Sequence, residues 1–242
     1  MEYIVCKDKT EGSKKAYEIM KKYLKENSVL GLATGSTPTE LYKFMIEDYK
    51  NGNFSYKNIK TFNLDEYVNL DFSHHESYHS FMDKNLFNFI DIKRENINIP
   101  CPDSNDNQEL EKRCKEYDQK LKENKINIQI LGLGQNGHIG FNEPFTPFDT
   151  ETHIVDLTEN TIEANKIYFD NNVDLIPKRA MTMGIKSILN ADVIILLAFG
   201  KNKKDAITKL FTAEANEEYP CTALQSHNNV YIIVDEASDY KN

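Results

Sequence analysis

The seven residues Val193-Ile194-Ile195-Leu196-Leu197-Ala198-Phe199 carry no polar side chain and stop at Gly200. A run of this kind reads as a strand buried on both faces, which belongs in a parallel sheet sandwiched between helices. The remaining pattern suits such a sheet. Shorter strand-like segments at Val29 to Ala33, Ile59 to Leu64, Ile97 to Pro100, Ile126 to Ile130 and Val230 to Val234 are separated by amphipathic helical patterns. The first helix is expected over Glu11 to Glu26, with Ala16, Ile19, Met20, Tyr23 and Leu24 at helical spacing. The second carries Leu41, Tyr42, Met45, Ile46 and Tyr49, and a third runs from Gln108 to Leu121. Alternation of this sort predicts an α/β fold: a Rossmann-like, doubly wound, largely parallel sheet with helices on both faces and right-handed crossovers. At 242 residues and 40% hydrophobic content, one domain over residues 1–242 is expected.

A formal net charge of −9 argues against general nucleic-acid binding, which needs a basic face. No apolar run reaches the length of a membrane span, and Glu2, Lys7, Asp8 and Lys9 stand where a signal peptide needs an apolar stretch. Cys6, Cys101, Cys114 and Cys221 are scattered, so free thiols in a reducing, cytoplasmic setting are expected.

Chemistry concentrates after the strand at Ile126 to Ile130. The stretch from Leu131 to Pro144 contains Gly132, Gly134, Gly137 and Gly140, which let backbone approach a ligand beyond a strand end. Asn136, His138 and Glu143 ride on it: an amide, an imidazole that titrates near neutrality, and a carboxylate able to orient or charge that imidazole. Gly132-Leu133-Gly134-Gln135-Asn136-Gly137 imitates a dinucleotide fingerprint, but Pro144 and Pro147 follow it instead of a long helix, so no such cofactor is implied.

Three further places bear polar groups. Thr34-Gly35-Ser36-Thr37-Pro38 joins a strand to a helix, where unpaired N–H groups and the positive helix end can cradle a phosphate. The Lys of a nucleotide-binding loop is missing from it, and a hydroxyl-capped turn would use the same residues. Asp65 and Glu66 follow the strand at Ile59 to Leu64, and composition alone does not separate their roles. His75-Glu76-Ser77-Tyr78-His79 matches the zinc-protease spacing without a third ligand, while Ser73 with Glu76 reads as a capping box for a helix bearing Tyr78, Phe81, Met82, Leu86, Phe87 and Ile90.

The Gly132-to-Pro144 stretch, Gly31 to Pro38 and Thr61 to Tyr67 together resemble the glucosamine/galactosamine-6-phosphate isomerase family, in the family's order and from about residue 29 to about residue 235. The resemblance implies isomerising deamination of glucosamine 6-phosphate to fructose 6-phosphate and ammonia, with a small sugar phosphate as partner and no cofactor or metal. It makes Asp65 the enolisation base and gives ring opening to His138, held by Glu143 and Asn136, the last often Asp in the family. Gly35, Ser36, Thr37 and Lys203 become the phosphate site, and a lid is implied at about residues 145–180. Many members carry Arg where Ile167 stands in Ala164-Asn165-Lys166-Ile167-Tyr168, so anchoring is expected to fall on Lys203, with Lys166 a substitute only if the lid is rotated. Longer regulated members extend further beyond the last strand, so a monomer or weak homo-oligomer is expected. Two alternatives share the fold: a 6-phosphogluconolactonase and a non-catalytic sugar-phosphate sensor domain.

Overall fold

The computed structural model describes residues 1–158, 162, 166, 169 and 172–241. Its central sheet holds β1 (Glu2–Cys6), β2 (Val29–Leu32), β3 (Lys60–Asn63), β5 (Ile97–Asn98), β6 (Ile128–Gly132), β9 (Val193–Ala198) and β10 (Val230–Asp235). They lie in the order β1-β10-β9-β6-β2-β3-β5, and every neighbouring pair is parallel. The helices are α1 (Lys9–Tyr23), α2 (Thr39–Lys50), α3 (Tyr78–Asn85), α4 (Asn107–Glu123), α5 (Ile185–Leu189) and α6 (Lys204–Thr212).

Both faces of the sheet are covered, as the apolar run requires. Ile194, Leu196 and Ala198 of β9 point into a core shared with α4, α5 and α6, while Val193, Ile195 and Leu197 point into a second core with α1 and α2. Truncating Leu196, fully buried in the first core, to Ala would cost about 2–5 kcal/mol.

The chain runs outward from β2 through β3 to β5, then returns to the other side of β2 as β6 and continues to β9 and β10. The winding therefore reverses between β2 and β6. Beyond the carboxyl ends of strands at such a switch point lies the crevice where open α/β sheets bind ligands.

A second sheet was not foreseen. β4 (Asp65–Tyr67), β7 (His153–Asp156) and β8 (Arg179–Thr182) form an antiparallel sheet in the order β4-β8-β7. Asp65 and Glu66, just past the end of β3, are thus strand residues of this second sheet. The stretch expected to be a lid includes β7 and the start of β8, and its described residues Leu157, Phe169 and Ile176 pack on Tyr67 and Phe141. Among the described residues no helix is long and apolar enough to cross a membrane, and all four cysteines are free.

Candidate active site

The loop after β6 is built around its glycines. Gly137 and Gly140 take φ of 85° and 59°, the left-handed region that side chains disfavour. At Gly134 the need is space: a Cβ there would stand 2.4 Å from the His138 ring. The imidazole lies over this glycine, while Gly134 N–H donates to the His138 carbonyl at 2.9 Å. Further anchors are Cys221 N–H to the Gly137 carbonyl, Phe141 N–H to Thr182 Oγ1, and the Asn142 amide to the carbonyls of Ile139 and Met183.

Asn136, His138 and Glu143 meet on this loop. Asn136 Nδ2 donates to Glu143 Oε2 at 2.7 Å, and Asn136 Oδ1 accepts from the His138 backbone N–H at 3.3 Å. His138 Nδ1 stands 3.5 Å from the same Glu143 oxygen, an electrostatic contact without a hydrogen bond. Asn136 is thus linked to the imidazole through Glu143 and the His138 backbone N–H.

Asp65 is brought to the far side of this loop. A methyl on Gly140 would come 3.5 Å from Asp65 Oδ2 and 3.0 Å from the hydroxyl of Thr182, the residue facing Asp65 across the β4–β8 pair. Asp65 is 6% exposed and accepts no hydrogen bond among the described residues. Burial, and then the adjacent Glu66 charge, push its carboxyl up to about 8. The hydroxyls of buried Tyr42 and Tyr117 and of partly buried Tyr78 are pushed up mainly by desolvation and further by the Asp65 charge.

Glu66 points elsewhere. Fully buried, it accepts from the N–H groups of Tyr67, Tyr78 and His79 and from His79 Nδ1 at 2.8 Å. It therefore closes the N-terminus of α3, with Ser77 as the N-cap accepting from Ser80 N–H. This corrects the capping box: Ser73 instead bonds Asp71, and the helix ends at Asn85, short of Phe87 and Ile90. His75 precedes α3 and stacks on His74, so it does not share a helical face with His79.

The phosphate candidates lie along the same edge. Gly35, at φ 86°, and Ser36 are exposed, and the Thr37 side chain reaches over Gly132 at the end of β6. The N–H groups of Gly35, Ser36 and Thr37 have no acceptor among the described residues. Lys203 follows β9, next to β6 in the sheet, and precedes α6. Its ammonium has no partner among the described residues, and burial lowers its affinity for the proton, a cost that a bound anion would offset. Ile167 lies outside the described residues. Sequence reasoning missed Thr182, whose only signal was the apolar setting of Ala180-Met181-Thr182-Met183.

Comparison with known proteins matches residues 10–232 to the family model for glucosamine-6-phosphate isomerases and 6-phosphogluconolactonase. The chain is 48% identical over 239 residues to a glucosamine-6-phosphate deaminase of Thermoanaerobacter sp. (strain X514), covering 98% of this chain and 93% of that one. A Clostridium novyi (strain NT) deaminase is also 48% identical, with 98% of each chain covered. Among solved structures, a monomeric glucosamine-6-phosphate deaminase superposes with TM-score 0.92 at 40% identity over 98% of both chains. The 6-phosphogluconolactonase from Trypanosoma cruzi shares the fold at TM-score 0.79 and 19% identity, covering 98% of this chain and 95% of that one.

Proposed function

Because the chain belongs to the glucosamine-6-phosphate isomerase and 6-phosphogluconolactonase family, we propose that it converts glucosamine 6-phosphate and water to fructose 6-phosphate and ammonia. Whole-length relatives at 48% identity support the deaminase branch, whereas lactonases at 16–20% share only the fold.

The observation that carries the chemistry is a buried carboxyl without hydrogen bonds, Asp65, set against the loop that presents His138. His138 moves the proton that opens the sugar ring, and Glu143, steadied by Asn136, sets a carboxylate beside the imidazole. Asp65 takes the C2 proton of the open-chain aldehyde and delivers it to C1. The electron pair of the broken C2–H bond forms the C1–C2 double bond while the C1=O π pair moves to O1, which takes up the proton lost by the C2 ammonium. Protonation at C1 then draws the nitrogen lone pair into a C2=N iminium. Water adds to C2, and the C–N bond breaks as ammonia departs.

A carboxyl pushed up to about 8 is a poor reservoir of base until a cation arrives. The substrate's own C2 ammonium supplies one and favours the ionised form. Gly35, Ser36, Thr37 and Lys203 hold the phosphate, with N–H groups for its oxygens and an ammonium for its charge. The chain acts as a cytoplasmic monomer or weak oligomer on a small sugar phosphate, without binding nucleic acid. The test is ammonia and fructose 6-phosphate release from glucosamine 6-phosphate. Lactone hydrolysis without ammonia release would overturn the assignment.

A further inference from the structure

Lys9, the first residue of α1, is an unexpected cation at a helix N-terminus. There the macrodipole is positive, so an ammonium is locally unfavourable. Its side chain does not turn back to the N-cap carboxylate of Asp8, which is engaged by Glu11 N–H. It crosses to the turn after β2, where Nζ donates to the Ser36 carbonyl at 2.5 Å and stands 3.4 Å from Thr39 Oγ1. Among the described residues Lys9 has no carboxylate partner, so its charge is left uncompensated beside that turn.

The contact has a directional consequence. The Ser36–Thr37 peptide is trans, so its C=O and N–H point opposite ways. With the carbonyl held by Lys9 of α1 and by the Thr39 hydroxyl of α2 at 2.8 Å, the Thr37 N–H is turned away from both donors. The Thr37 side chain reaches over Gly132 at the end of β6, and this N–H has no acceptor among the described residues. An ammonium on the carbonyl also polarises the peptide, making its N–H a stronger donor.

We infer that Lys9 is a positioning residue for anion binding: it fixes and polarises the Ser36–Thr37 peptide and adds a positive charge behind the phosphate cradle. This rests on assigning the substrate phosphate to the turn at residues 34–37. The partner chemistry is a phosphomonoester dianion. Lys9 acts on it through the Ser36–Thr37 peptide, its ammonium being engaged by the Ser36 carbonyl and set near Thr39 Oγ1.

The experiment compares wild type, Lys9→Ala, Lys9→Gln, Lys9→Arg and Thr39→Val. Inorganic phosphate binding is read by calorimetry, and glucosamine 6-phosphate kinetics by ammonia release. For a part-exposed charge, Lys9→Ala should weaken phosphate binding and raise KM by about 5- to 10-fold, with kcat changed less than about 2-fold. Lys9→Arg should recover most of this. Lys9→Gln, which keeps a donor without charge, should recover little, and Thr39→Val should do less harm than either uncharged variant. Unchanged phosphate affinity in Lys9→Ala would overturn the inference, as would a loss of thermal stability with KM intact. Should Lys9→Ala fail to fold, the Lys9→Gln and Lys9→Arg pair decides. Absence of ammonia release by wild type would sink the proposed reaction, whereas the phosphate affinities would still judge Lys9.

Discussion

Asp65 and Glu66 are adjacent acids on one short strand, both buried, and the structure treats them in opposite ways. On the Glu66 side lies α3, and three backbone N–H groups with one imidazole nitrogen converge on that carboxylate. On the Asp65 side lies the glycine loop carrying His138, and there the carboxylate accepts nothing among the described residues. Burying a charge is tolerable when donors replace water and costly when they do not. Glu66 therefore stabilises the fold, while Asp65 is held at the fold's expense. A buried acid that the protein declines to satisfy is one left available for a proton from elsewhere.

The comparison can be broken most forcefully at Glu66. Glu66→Ala strands the donors at the head of α3 and should destabilise the protein by about 3–5 kcal/mol, the scale for removing one partner of a buried charged network. Urea unfolding checks it. A loss below about 1 kcal/mol would mean that water satisfies those donors and that Glu66 is no keystone.

Asp65 should respond with the opposite sign. Asp65→Asn is expected to lower turnover by about 100-fold or more, the scale for a lost general base. Its effect on stability depends on pH. The folded carboxyl is raised from 3.8 to about 8, so between those values the folded chain holds a proton that the unfolded chain has released. Wild-type stability from this group is present below pH 3.8 and is lost as pH rises through about 8. Asn has no such proton, so the variant should gain stability relative to wild type across that window. Parallel melting temperatures of the two proteins from pH 5 to pH 9 would contradict the burial argument.

How much of this was legible in the sequence depends on whether the deciding interaction is local. β9 declared itself by a run of apolar residues that no other environment suits. The loops after β2 and β6 were visible because glycines at φ above zero leave a mark in the chain itself. The small sheet left none: Asp65-Glu66-Tyr67 has no alternation, and its pairing with β8 is fixed by a segment more than a hundred residues away. β1 was missed for a related reason, as an edge strand of Glu2–Cys6 in which only Cys6 is buried. The cap of α3 was misread because its acid comes from β4 and not from Glu76. The sequence could place Asp65 near a strand end; it could not show that Asp65 lacks partners and Glu66 has four.

A smaller effect separates the two halves of the Glu66 network. His79 Nδ1 contributes one of the contacts from a side chain that remains 29% exposed, and its ring also stacks on Phe72. His79→Ala should cost about 1 kcal/mol, well below Glu66→Ala, because the backbone donors still hold the carboxylate. Activity should persist after exhaustive chelation in both wild type and variant. Loss of activity on chelation, together with stoichiometric zinc in the purified protein, would restore the metal reading of His75 and His79.

The smallest and sharpest test asks what each acid does to its neighbour. Two causes raise Asp65, burial first and the Glu66 charge second. Glu66→Gln removes the second and leaves the first, provided the variant stays folded, which Gln favours over Ala by keeping the volume and one acceptor. The ascending limb of kcat/KM against pH reports the essential base of the free enzyme, so wild type should show an inflection near pH 8. In Glu66→Gln that inflection should move down while staying above the ordinary carboxylate value of 3.8, because the larger cause is untouched. The maximal rate should change little, since Glu66 points toward α3 and away from the reacting atoms. An inflection that does not move would assign the rise wholly to burial. An inflection that disappears would show that Asp65 is not the group being titrated, and the base would have to be sought on the His138 loop.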